Sequence, residues 1–282
     1  GGQVGDTGVL KSGTAEFEVS ETKKTPGGVF MHSGRLKSGS ISVGDKVSTV
    51  YDVERREAIR RNHTAAHLLQ AGLRKVLGTH VEQAGQLVNE KTVRFDFTHF
   101  SALTGEEITA VEDYVNGIIL SALPVESREM PIEEAKKLGA MALFGEKYGA
   151  VVRVVSVADY SVEFCGGTHI DNTGKLGLFH IISENGVAAG VRRIEALTGF
   201  NTLSLLRRTE QINADAAAVL KASGAEDIVS KAVQLTAQLK ESARKLQKAE
   251  DQLAAGKTGD VMSSAVNVGS LRVATARFDG MQ

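Results

Sequence analysis

Arg60-Arg61-Asn62-His63-Thr64-Ala65-Ala66-His67-Leu68-Leu69-Gln70 sits in the run from Arg55 to Leu77, which has no proline and repeats its apolar residues at helical spacing. That periodicity predicts a long helix. His63 and His67, four residues apart, then project from one face about a turn from each other, close enough to share one ion. About a hundred residues later comes Cys165-Gly166-Gly167-Thr168-His169, after a predicted strand from Tyr160 to Phe164. There the two glycines can supply a turn that bends Cys165 and His169 toward one point. A histidine pair alone is more often helix surface or satisfied core. The only cysteine in the chain, four residues before a third histidine, changes that balance. Thiolate with imidazole in a set of four suits the tetrahedral preference and borderline softness of zinc, so His63, His67, Cys165 and His169 are read as holding one Zn2+. Four protein ligands would also close the sphere of a purely structural zinc; catalysis requires one of them to be displaceable.

With 282 residues and 42% hydrophobic composition, the chain can bury a substantial core and is long enough for about two domains. A net charge of −1 excludes an overall basic grip on nucleic acid. Any RNA contact has to come from local patches such as Arg55, Arg56, Arg60 and Arg61, or Arg192 and Arg193, which solvated faces explain equally well. One cysteine rules out an internal disulfide framework and fits a reducing compartment, and no apolar run is long enough to cross a bilayer; cytoplasm is the expected location, with no membrane partner. A start at Gly1, inside a glycine-rich motif, reads as a piece of a longer chain.

The fold class expected is α+β. Short β-prone runs at Ala15 to Val19, Gly28 to His32 and Lys46 to Tyr51, separated by glycine-bearing turns, predict a small antiparallel barrel over residues 1–54. A mixed segment follows over 55–199. It has the long helix, strands at Gln86 to Val88 and Thr92 to Thr98, a helix from Gly105 to Leu123, and strands at Val151 to Val157, Leu178 to Glu184 and Val191 to Ala196, a pattern of helices on an antiparallel sheet. Over 200–258 a helix from Asn201 to Lys221, a turn at Ser223-Gly224 and a second helix predict a helical hairpin. In the second helix Ile228, Ala232, Leu235, Leu239, Ser242, Leu246, Ala249 and Leu253 form a heptad seam, expected to pack on the preceding helix rather than on another chain. Strand character from Val266 to Phe278 marks the start of a further module over 259–282. The oligomeric state is not legible.

Asn62 to Leu69, Gly78-Thr79-His80-Val81-Glu82-Gln83, Arg94-Phe95-Asp96-Phe97, Gly139 to Tyr148, Cys165 to His169 and Arg192-Arg193-Ile194-Glu195-Ala196 together resemble the editing domain of the alanyl-tRNA synthetases. The glycine-rich opening, Gly1 to Gly8, is similar to the start of the small β-barrel that precedes that domain, so the resemblance covers essentially the whole chain. It implies hydrolysis of the ester joining serine or glycine to the 3′ end of the alanine tRNA, with the acceptor stem and 3′ end as partner. ATP and Mg2+ belong only to an aminoacylation domain outside these residues. An activating pocket shaped for alanine cannot exclude glycine by size, and rejecting an added hydroxyl yields only about 100-fold, so a second sieve is needed.

Under this resemblance the catalytic set is His63, His67, Gln83, Cys165 and His169. Gln83, Ala66, Gly166, Gly167, Arg192 and Arg193 line the substrate, the Gln83 amide offering paired donor and acceptor atoms. The family commonly carries threonine immediately before the second helix histidine; this chain has Ala66, which shifts serine selectivity onto Gln83 and the metal, and Thr64 faces elsewhere on the helix. Glu163 reads as an ordinary strand residue, and no carboxylate stands out as a general base. The alternatives are a free-standing trans-editing protein of the same superfamily and an RNA-binding module with a structural zinc and no activity.

Overall fold

The computed structural model describes residues 2–25, 27–141 and 148–276, with 256–260 described by backbone alone. Ala142 to Lys147, within the motif from Gly139 to Tyr148, lie outside the described residues, as do Gly1 and Phe278. Two compact units result, Gly1–Leu206 and Arg207–Gln282.

In the first unit, β1 (Gly8–Ser12), β2 (Ala15–Lys24), β3 (Phe30–Ser38) and β4 (Ser48–Tyr51) make an antiparallel sheet in the order β3-β2-β1-β4. The expected barrel thus takes the form of a four-stranded sheet, and among the described residues its outer strands are not joined to each other. Few inward residues are available to close it: of its side chains only Ala15 and Val19 are buried. Gly34 must be glycine because its α-carbon faces the neighbouring strand, where a Cβ would lie 1.8 Å from the Glu18 carbonyl.

α1 (Val53–Leu77) is the predicted long helix, capped by Asp52, whose carboxylate accepts from the Arg55 backbone N–H at 3.0 Å. It lies on a second antiparallel sheet, order β10-β11-β6-β5, built from β5 (Gln83–Val88), β6 (Val93–Thr98), β10 (Phe179–Ala188) and β11 (Val191–Thr198). α2 (Gly105–Leu120) packs beside it, started by a capping box between Thr104 and Glu107. The period-two pattern of β6 gives the reason for this layering: Val93, Phe95 and Phe97 are buried and alternate with Arg94, Asp96 and Thr98. The buried set meets Leu68, Leu69 and Leu73 of α1 and Val111 and Val115 of α2 in one core. α2 stops short of Leu123 because Ala122 takes a positive φ of 50° and Leu123, as the residue before Pro124, is disfavoured in helical conformation.

A third sheet, β7-β8-β9, joins β7 (Val125–Pro131), β8 (Val151–Val157) and β9 (Ser161–Phe164), with the short helix α3 (Ile132–Lys137) beside it and Ala135, Val152, Val154 and Phe164 between them. β7 and α3 were not expected, since Val125–Pro131 is mostly exposed and carries no apolar alternation. β9 brings Cys165 to the face of α1.

α4 (Gly199–Leu220) and α5 (Ile228–Ser263) follow, then a hairpin of β12 (Val266–Val268) and β13 (Leu271–Val273). The expected covering of the α5 seam is not observed: Leu239, Leu246 and Leu253 are 73%, 62% and 67% exposed. The first turn of α4 belongs to the first unit, where the Thr202 hydroxyl donates to the Leu178 carbonyl and the Asn201 amide to the carbonyls of Glu90 and Lys91. Among the described residues no helix is long and apolar enough to cross a membrane.

Candidate metal centre

His63 and His67 lie in the buried middle of α1, and Cys165 and His169 lie on the loop after β9; one ligand atom from each falls within 4.8 Å of all the others. Cys165 Sγ is 3.5 Å from His63 Nε2 and 3.2 Å from His169 Nε2. Bonds of about 2.0–2.3 Å to a tetrahedral zinc put neighbouring ligand atoms about 3.3–3.6 Å apart, so the donor set could hold such an ion.

The outward nitrogen of each imidazole meets its own polar partner. His63 Nδ1 is 2.7 Å from Gln3 Oε1. The Thr64 hydroxyl donates to the Arg60 carbonyl at 3.0 Å, so its oxygen is left to accept from His169 Nδ1 at 3.1 Å and from the Ile170 N–H at 3.3 Å. His67 Nδ1 is 3.1 Å from Glu163 Oε2 but off the line of its N–H bond, a charge contact rather than a straight hydrogen bond. The second Glu163 oxygen accepts from Ser161 at 2.8 Å. Orientation by outer partners of this kind is how histidines are prepared as ligands.

Electrostatics favour the ligand forms of Cys165, His63 and His169 and favour a proton on His67, which an incoming ion would have to displace. Burial by itself would raise the Cys165 thiol, yet the surrounding imidazoles of His169, His63 and His67 hold it far below the ordinary thiol range. Burial lowers His63 and His169, keeping them neutral. At His67 burial is outweighed by the Glu163 carboxylate and Cys165, and its pKa is raised.

The loop is braced through its backbone. Arg60 donates to the His169 carbonyl at 2.5 Å, and Arg153 donates to the carbonyls of Cys165 and Gly167. The two glycines differ. A Cβ on Gly167 would stand 2.0 Å from His63 Cε1, whereas one on Gly166 would meet nothing within 4 Å. A cavity of about 930 Å³ opens against His63, Gly166 and Gly167, its other walls including Gln3, Lys23, Lys24, Phe30 and Arg55.

Other expected site residues lie elsewhere. Gln83 is half-buried at the start of β5, opposite Phe97, and among the described residues no hydrogen bond joins it to the four candidate ligands. Ala66 is 1% exposed within the apolar core. Arg192 and Arg193 make two-pronged ion pairs with Glu184 and Asp96, and Arg55 and Arg56 pair with Glu90 and Asp6, so these cations are committed to neighbouring carboxylates. Sequence reasoning missed Gln3 and the role of Thr64, and took Glu163 for an ordinary strand residue although it is buried against His67. For Glu163 a signal existed: it lies two residues before Cys165, on the same side of an extended run.

Residues 152–195 match the family described as threonyl and alanyl tRNA synthetase second additional domain, and residues 1–55 match tRNA synthetases class II (A). The chain is 48% identical over 279 residues to an alanine–tRNA ligase of Acetivibrio thermocellus and 49% identical over 285 residues to one of Pseudomonas fluorescens. Each alignment covers 99% of this chain and 32% of the relative, so the chain spans about a third of the length of these relatives.

Proposed function

We propose that this chain, a segment similar to alanyl-tRNA synthetase along 99% of its own length, is the proofreading hydrolase of such an enzyme, cleaving serine or glycine from mischarged alanine tRNA. The longer protein would attach alanine to that tRNA with ATP and Mg2+. Its modules would be a small barrel over 1–54, the editing domain over 55–199, a helical linker over 200–258 and the start of a C-terminal module from 259. A free-standing editing protein would perform the same hydrolysis.

The observation that carries this reading is a cavity, large enough for a terminal aminoacyl nucleoside, that reaches His63 of the candidate metal-ligand cluster and the two glycines of the cysteine loop. His63, His67, Cys165 and His169 would hold one Zn2+, and with one of the four displaced the ion would supply Lewis-acid polarisation of the ester carbonyl. Water adds to that carbonyl carbon, the bond to the ribose oxygen breaks, and a proton passes to the departing 3′ oxygen. Glu163 faces His67 and Ser161 and is absent from the cavity wall, so its role is to orient His67 rather than to take a proton from water. Gly166 leaves room for the aminoacyl group beside the ligands. Lys24 and Phe30 in the cavity wall, the ammonium 5.4 Å from the ring centroid, would offer charge to a phosphate and a ring for a base, while Lys23 is paired with Glu21 there as Arg192 and Arg193 are with their own carboxylates.

The competing role, a structural zinc in an RNA-binding module, is favoured by the four protein ligands alone. Incubating the chain with seryl-tRNA for alanine separates the two. Release of serine that stops with a chelator and returns with zinc is expected; an intact ester with and without zinc overturns the hydrolase.

A further inference from the structure

We propose that Gln3 is a positioning residue for His63: its side chain fixes the imidazole as the Nδ1–H tautomer and so aims a bare Nε2 at the point where His67, Cys165 and His169 converge. The assignment follows from a donor that has no choice. The Thr168 backbone N–H can only donate, and it meets Gln3 Oε1 at 2.9 Å, which identifies the oxygen end of the amide. That oxygen can only accept. The 2.7 Å contact with His63 Nδ1 therefore requires the hydrogen to be on Nδ1. A neutral imidazole carries one N–H, so Nε2, 3.5 Å from Cys165 Sγ, keeps its lone pair. The amide nitrogen completes the arrangement by donating to the Thr168 hydroxyl at 3.0 Å.

The support behind Gln3 is rigid. Its neighbours bond the edge of β5 on both sides, Val4 N–H to the Val88 carbonyl at 3.0 Å and Val88 N–H to the Gly2 carbonyl at 2.8 Å. One side chain thus joins the N-terminal glycine-rich segment, the long helix and the cysteine loop. Gly167 makes this joint possible, since its missing Cβ is what lets Gln3 and His63 meet: that atom would stand 2.9 Å from Gln3 Oε1 and 2.3 Å from His63 Nδ1.

The tautomer stands independently of the hydrolase reading; its effect on metal binding rests on the cluster holding an ion. The test uses the 282-residue chain with 15N-labelled histidine. In the metal-free chain, long-range proton–nitrogen correlation is expected to show His63 protonated at Nδ1 and bare at Nε2. Gln3→Leu is expected to abolish that preference and to weaken zinc binding, read by chelator competition, by about 10- to 100-fold, the usual loss for an outer partner. Gln3→Glu keeps an acceptor for both His63 and Thr168 and is expected to restore the tautomer and most of the affinity. Finding Nε2–H at His63 in the unsubstituted chain overturns the proposal whatever the variants do. So does a Gln3→Leu chain with unchanged tautomer and zinc affinity within twofold. Failure of ester hydrolysis with the tautomer intact would count against the hydrolase alone.

Discussion

Each imidazole of the cluster has a different outer partner, an amide for His63, a carboxylate for His67 and a hydroxyl for His169, and this is where single substitutions act. The adjacent glycines make the sharpest comparison. Gly167→Ala drives a methyl group into the His63 ring and is expected to weaken zinc binding at least tenfold, whereas Gly166→Ala points into open space and is expected to leave affinity unchanged. Chelator competition on both variants measures this, and equal affinities would show that the loop yields instead. Each pair of candidate ligands was legible because its spacing in the sequence is itself local geometry: four residues on a helix is one turn, and a cysteine four before a histidine across two glycines is a tight loop; their meeting across 102 residues is shown by the fold. Gln3 was not legible, since its contact with Thr168 spans 165 residues and no local pattern encodes it. Ala66 is a selectivity position only by resemblance, because the family commonly carries threonine there; in this fold its side chain meets the apolar core.

At the level of elements, caps and alternation carried most of the information. Thr104 accepts from the Glu107 N–H at 3.1 Å and Glu107 accepts from the Thr104 N–H at 2.8 Å, reciprocal bonds at the exposed start of α2. Thr104→Ala is expected to lower unfolding stability by about 1 kcal/mol, read from the denaturation midpoint, with zinc affinity unchanged because α2 supplies no ligand. A loss below about 0.3 kcal/mol would mean water replaces the cap. β6 was legible because one of its faces is buried and the other is not; β7 was not, because neither of its faces is strongly apolar. The seam of α5 shows the limit of periodicity. A stripe of leucines says that a neighbour would fit, not that one is present: Leu239, Leu246 and Leu253 are exposed.

For the whole molecule, every ligand and every outer partner named above falls within Gly1–Leu206. A chain ending at Leu206 is therefore expected to bind one zinc with affinity within about threefold of the longer chain, the tolerance set by the absence of lost contacts at the cluster; a larger loss on calorimetric titration would show that the second unit supports the centre. The order in which the ligands occur along the chain has its own outcome. His63 precedes Cys165 by 102 residues, and a ribosome adding about 5 to 20 residues per second needs about 5 to 20 s to cover that distance. For that interval the nascent helix offers only two imidazoles, a weak holder of any cation, so an ion would be held firmly only once Cys165 and His169 have been made.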